Sequence, residues 1–367
     1  MLELECSSRV VFYVRQRGGG RGVPEHARQV PPAAPTCGKK GGVLRVIPVS
    51  TAIARGVGVS TDYVLGLPER VDSLYRSRII AKDRSGQGKA RVISVPDPSL
   101  QLVQEWIADF VRENTSELPP YVAAYETGRS IVQNALIHAS HRHLLTLDIH
   151  HFFPSCTREM VVVKVFSGMS ARDGETGQRH QLGADDVDLL ASLSCYKGAL
   201  AVGSPCSPFI ANRIMLPVDG EIIAALPDGY AYSRYSDDIS ISSDSRINTG
   251  LITQIVEKIL SDHGFSLNRS KTHCRGTGNA RRVTGVFLTS DGSLSIGRDR
   301  KKELCRQLYA LLKKQEGSPS RVLGMLFFCK QVEPEYFNTL VAKYATYGLA
   351  NDYGGVIPAL QALRRKM

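Results

Sequence analysis

A chain of 367 residues, 43% hydrophobic and 22% charged, is long enough to bury a large core or two to three subdomains sharing one body. Its formal net charge of +11 and pI near 9.3 favour a polyanionic partner, because each neutralised phosphate releases counterions. No apolar run approaches a membrane span, no leader-like apolar stretch precedes a cleavage site, and the eight cysteines show neither Cys-x-x-Cys nor zinc-ligand spacing, so they are expected to be small buried apolar residues of a reduced, cytoplasmic protein.

Residues 1–50 are basic and rich in glycine and proline, and such a segment buries little apolar surface. It is expected to be mostly disordered, either a basic arm touching RNA or an extension from a misassigned start codon. From 60 to 140 the pattern predicts a short helix over 63–75, a strand pair joined at 85–88 and a helix over 100–112. The run Leu144-Leu145-Thr146-Leu147 then reads as a buried strand ending on Asp148. Residues 172–183 read as a polar loop. Ser207 is placed to cap, and Pro208 to begin, a helix through Phe209, Ile210, Ile214 and Met215. Two β-like halves meet at Asp237 and Asp238. A helix over 251–263 stops at Gly264, a strand pair near 282–296 turns at Asp291-Gly292, and 300–366 reads as helical, with no fixed-period repeat.

The paired acids carry the chemistry. Two ionised carboxylates about 4 Å apart repel by roughly 4 kcal/mol at an effective dielectric near 20, so Asp237 and Asp238 ask for a cation. With Asp148 ending a second strand, three aspartates can clamp two divalent ions for in-line attack at phosphorus. Taken alone, Tyr-x-Asp-Asp is equally compatible with solvated acids at an ordinary hairpin turn.

Order along the chain separates these readings. Asp148-Ile-His-His-Phe-Phe-Pro154, Gly203-Ser-Pro-Cys-Ser-Pro208 and Tyr235-Ser-Asp-Asp238 resemble, in sequence, motifs A, B and C of reverse transcriptases. Gly88–Pro96 and Gln104–Ile107 look like fingers elements, and Leu267–Thr272 resembles motif D. Asn134-Ala-Leu-Ile-His138 and Val283-Thr-Gly285 resemble two elements of retron enzymes, and the whole likeness spans about residues 60–350.

That resemblance implies an α+β right-hand polymerase with a mainly antiparallel palm sheet: fingers at 51–140, palm at 141–285 interleaved with fingers elements, and a helical thumb at 286–367. It implies two Mg2+ ions held by Asp148, Asp237, Asp238 and the carbonyl of Ile149. Phe153 would be the steric gate against a 2′-hydroxyl. Lys82, Arg91, Gly203 and Lys271 would meet the incoming dNTP. Asn134 and His138 would scaffold or contact RNA, Val283, Thr284 and Gly285 would bring backbone close to an RNA stem, and Arg281 and Arg282 would add phosphate contacts. Val202 departs from the glutamine common at its position, removing an amide near the nucleotide.

The implied activity is RNA-directed DNA synthesis on a cognate non-coding RNA that is both template and primer, giving branched RNA-linked DNA in anti-phage defence with a separate effector protein. The alternatives are another bacterial reverse transcriptase, group II intron-like or diversity-generating, and a non-catalytic RNA-binding scaffold for an effector.

Overall fold

The computed structural model describes residues 2–3, 13–14, 47–80, 91–172 and 178–366. A four-stranded antiparallel sheet lies at its centre, in the order Ala231–Tyr235, Asp238–Ser243, His143–Asp148, His273–Arg275. Leu145 opposes Ile241 and Leu147 opposes Ile239, while Leu144 opposes Ser242 and Thr146 opposes Ser240. Side chains alternate between faces along a strand, so this register makes one apolar face and one that is largely hydroxylic. The apolar face joins a core containing Val103 and Ile107 of helix Pro98–Asn114, Ile210 and Ile214 of helix Ser207–Ala225, and Ile252 and Val256 of helix Thr249–Asp262. The same period puts Asp148 and Asp238 on the other face, with Thr146 and Ser240.

Local chemistry explains the element ends. Asp97 Oδ1 accepts from the N–H groups of Ser99 and Leu100 at 3.0 and 2.9 Å, and Pro98 occupies the first turn, starting the helix of which Trp106 and Phe110 are part. The helix expected over 63–75 is instead helix Thr61–Leu65, stopped at Gly66, followed by the 3-10 segment Pro68–Leu74. Cys206, not Ser207, is the N-cap of helix Ser207–Ala225, and the Ser207 hydroxyl is buried without a hydrogen-bond partner among the described residues. The expected polar loop contains a pairing, Ser170–Arg172 with Arg179–Gln181. The strand pair expected near 282–296 is a three-stranded meander, Arg281–Val283, Val286–Leu288 and Leu294–Ser295, because Thr284-Gly285 forms an additional turn.

Beyond the meander, helices Arg298–Tyr309, Pro319–Val332, Pro334–Tyr344 and Val356–Lys366 enclose a second core with Leu304, Leu308, Leu326, Leu340 and Leu360. Leu144 reaches this core from the back of the central sheet. The expectation for residues 1–50 lies almost wholly outside the described residues, although helix Val49–Val57 begins within that range. Cys156, Cys195, Cys206 and Cys329 are buried, and burial pushes the thiols of Cys156 and Cys195 up to about 12; Cys274, by contrast, is exposed. Among the described residues no helix is long and apolar enough to cross a membrane.

Candidate active site

Tyr235 pairs with Asp238, leaving Ser236 and Asp237 as a two-residue hairpin loop. Ser236 takes φ 60°, the positive value that the twist of a tight hairpin demands at its first loop position. Asp238 sits directly opposite Asp148 in the ladder, and the carbonyl of Asp237 accepts from Ile149 N at 2.9 Å. Register thus gathers the three acids at one strand end. Directly opposed residues have Cβ atoms about 4.5–5.5 Å apart, and like charges there are destabilising without a cation.

A cation is already present in the form of Lys271, whose Nζ lies 2.5 Å from Asp148 Oδ1. Backbone bonds deliver it: Asn268 N donates to Asp148 O and His150 N to Ser266 O, each at 2.8 Å, so the segment before Lys271 runs beside the strand end. Among the described residues no three His, Cys, Asp or Glu side chains are grouped so as to hold a metal ion. Carboxylate oxygens are the donor type that a hard divalent cation takes, and in this structure the buried Asp148 draws its positive charge from Lys271.

Phe153 is 7% exposed, inside the first core and 5.2 Å from the ring of Phe152. Gly203 has φ 111°, and a Cβ there would stand 2.7 Å from the carbonyl oxygen of Ser94. The close approach that requires glycine is therefore to strand Arg91–Pro96, which Ser94 N also ties to Val202 O at 2.9 Å. Arg91 pairs with Ile80 of the antiparallel strand Tyr75–Ile80. Lys82 lies outside the described residues.

The structure corrects part of the RNA-contact set. Asn134 and His138 are 1% and 0% exposed, beneath the hydroxylic face of the sheet rather than at a surface that RNA could touch. Ser233 Oγ donates to Asn134 Oδ1 at 2.6 Å, which spends its one proton. His138 Nε2, at 2.7 Å from Ser233 Oγ, must then donate, leaving Nδ1 to accept from Ser242 at 2.7 Å. Burial accordingly lowers the His138 pKa to about 3. Val283 is fully buried, and Arg281 is turned inward, its guanidinium donating to the carbonyls of His141 and Thr289. Arg282 remains exposed; at the turn between Val283 and Val286, with φ 45° and 86°, Thr284 is half-buried and Gly285 buried. Asn134 Nδ2 reaches Thr284 Oγ1 at 3.4 Å, which links the two retron-like elements.

Sequence reasoning overlooked the groups beneath the hairpin. Arg234 is fully buried and bidentate to Asp219, with Nε–Oδ1 and Nη2–Oδ2 both 2.8 Å. Its Nη1 donates to Asn212 Oδ1 at 3.1 Å and to Ser236 O at 3.2 Å, and Tyr232 OH donates to Asp219 Oδ1 at 2.6 Å. Asn212 and Asp219 are two helical turns apart in Ser207–Ala225, so one helix face reaches the hairpin. The arginine inside Tyr232-Ser-Arg-Tyr235 was the available signal, since a charge on the apolar face of a strand needs a buried partner.

Carboxylates gathered at the end of an antiparallel sheet are of the kind that templated nucleotidyl transfer uses, and residues 80–286 match the family described as reverse transcriptase (RNA-dependent DNA polymerase). The chain is 30% identical over 300 residues to the Retron Ec83 reverse transcriptase of Escherichia coli, covering 77% of this chain and 91% of that protein. It is 28% identical over 271 residues to the Retron Ec86 reverse transcriptase of the same organism, covering 73% and 80% respectively. Against the Retron Mx65 reverse transcriptase of Myxococcus xanthus it is 26% identical over 306 residues, covering 80% and 70%. The chain belongs to the retron-type reverse transcriptases and is an RNA-directed DNA polymerase. Among solved structures, telomerase from Candida albicans aligns at 12% identity and TM-score 0.42, over 79% of this chain and 59% of that one, a likeness too low to carry an argument.

Proposed function

We propose that this polymerase copies one cognate structured RNA, acting as both template and primer, into branched RNA-linked single-stranded DNA, in a cytoplasmic anti-phage defence in which a separate effector protein takes part. The observation that carries the catalytic part is the register pairing Asp148 with Asp238 while Asp237 fills the adjoining turn. Asp148, Asp237 and Asp238, with the Ile149 carbonyl, would hold two Mg2+ ions. Bound there, these would lower the pKa of the primer hydroxyl and neutralise charge on the departing pyrophosphate. Positioning supplies much of the remaining rate.

In this reading residues 51–140 act as fingers, 141–285 as palm and 286–367 as thumb. The dNTP meets Lys82, Arg91, Gly203 and Lys271, and Phe153 excludes a ribose 2′-hydroxyl. Arg282 and Thr284 face the cognate RNA, while Asn134, His138, Arg281, Val283 and the buried Gly285 support that turn from below. Its support is the Asn134–Thr284 bond and the exposure of Arg282.

Primer extension with Asp237→Asn and Asp238→Asn tests the acids: synthesis is abolished while RNA binding persists, and wild-type extension by either variant refutes the assignment. Analysis of the DNA made on co-purified RNA tests the branch. The DNA should carry attached RNA that 2′,5′-debranching releases, and DNA free of RNA refutes self-priming.

A further inference from the structure

We infer that Tyr125 is a positioning residue for the polymerase reaction, holding the catalytic hairpin through Ser236. This rests on the assignment of Asp237 and Asp238 to the chemistry. Ser236 is buried, at 3% exposure, and sits at φ 60°, a region that L side chains other than Asn and Asp enter rarely and at a cost. Such a residue persists when its surroundings over-determine it. Here two groups do so: Arg234 Nη1 donates to its carbonyl at 3.2 Å, and Tyr125 OH donates to its Oγ at 2.9 Å.

Tyr125 is itself constrained. It has φ 67°, and its ring centroid lies 6.4 Å from that of Tyr235. The segment bearing it is docked along the edge strand, with Arg234 N donating to Tyr121 O at 2.8 Å and Ala123 N donating to Arg234 O at 2.9 Å. Two residues in the left-handed region, 111 positions apart in the chain, are thus joined by one hydroxyl–hydroxyl bond next to Asp237. A loop residue that only closed the surface would not need this geometry. The bond clamps the turn from the side opposite Ile149, whose N–H holds the Asp237 carbonyl. The carboxylates are therefore pre-positioned before any substrate arrives, which is where oriented groups contribute most to rate.

Tyr125→Phe keeps the half-buried ring and deletes only the hydroxyl. Loss of one such bond is expected to lower kcat for dNTP incorporation by about fivefold to tenfold with KM for dNTP little changed. Deuterium uptake by residues 232–240 of the metal-free protein should rise, while the melting temperature stays near wild type. Ser236→Ala should reproduce the kcat loss, and the double variant should be no slower than either single one. Ser236→Gly relieves the strain, so it should melt no lower than wild type yet turn over more slowly. Wild-type kcat and exchange in Tyr125→Phe, or additive losses in the double variant, would overturn the inference. The parallel Asp237→Asn reaction keeps the two readings apart: if it is inactive while Tyr125→Phe is unaffected, only Tyr125 loses its role; if it is active, both readings fail.

Discussion

Removing the carboxylate of Asp219 gives the sharpest test of how the site is held. In Asp219→Ala, the fully buried Arg234 loses both 2.8 Å bonds that orient it, and Tyr232 loses its 2.6 Å acceptor. Breaking one side of a buried ion pair typically costs about 3–5 kcal/mol, because the surviving charge is left uncompensated. An unfolding entropy of roughly 2.1 cal/mol/K per residue over 367 residues gives about 1.3 °C per kcal/mol, so the melting temperature should fall by about 4–7 °C. Tyr232→Phe removes a single neutral donor, so about 1 kcal/mol and about 1 °C are expected. Calorimetry or thermal fluorescence measures both. Extension assays well below the melting temperature should show slower incorporation by Asp219→Ala, because Arg234 then no longer fixes the Ser236 carbonyl. An Asp219→Ala protein melting within 2 °C of wild type would refute the reasoning, since the pair would then have no energetic hold on the hairpin.

His138 supplies a pH signature. Its folded pKa of about 3 lies below the ordinary 6.5, so the unfolded chain binds the proton first. Stability from this group is complete above about pH 6.5 and is lost as pH falls toward 3, by roughly 1.4 kcal/mol per unit; His138→Gln should flatten that slope in denaturant titrations between pH 7 and 5. Gly203→Ala would place a Cβ 2.7 Å from Ser94 O at φ 111°, so it should lower the melting temperature and raise KM for dNTP, and unchanged values would contradict the close approach. Phe153→Ala should admit ribonucleotides, read as a fallen dNTP-to-NTP preference, together with roughly 3–5 kcal/mol of lost stability from emptying a core position. An unaltered preference would make Phe153 a packing residue alone. Arg282→Ala should weaken cognate and generic RNA alike and reduce the salt slope by about one, measured as binding against salt concentration; an unchanged slope would show that Arg282 makes no phosphate contact.

The local text of the chain was enough to find the strand ending on Asp148, the hairpin carrying Asp237 and Asp238, and the helices that flank them, because period-2 and period-3.6 patterns and the turn between Tyr235 and Asp238 are short-range signals. Motif order also located the family. What the text did not reveal was direction of burial. Asn134 and His138 share a helical face in sequence, yet only the packing of that turn under Ser233 and Ser242 makes them interior supports. Arg281 and Arg282 are neighbours of equal charge, and strand alternation in the folded meander sends one guanidinium to buried carbonyls and leaves the other exposed. The extra turn at Thr284 went unread because a β-branched residue at positive φ contradicts local preference and survives only where the surrounding contacts compensate. For the same reason Tyr125 carried no signal: its partner Ser236 is 111 residues away, and only tertiary folding brings the two hydroxyls together.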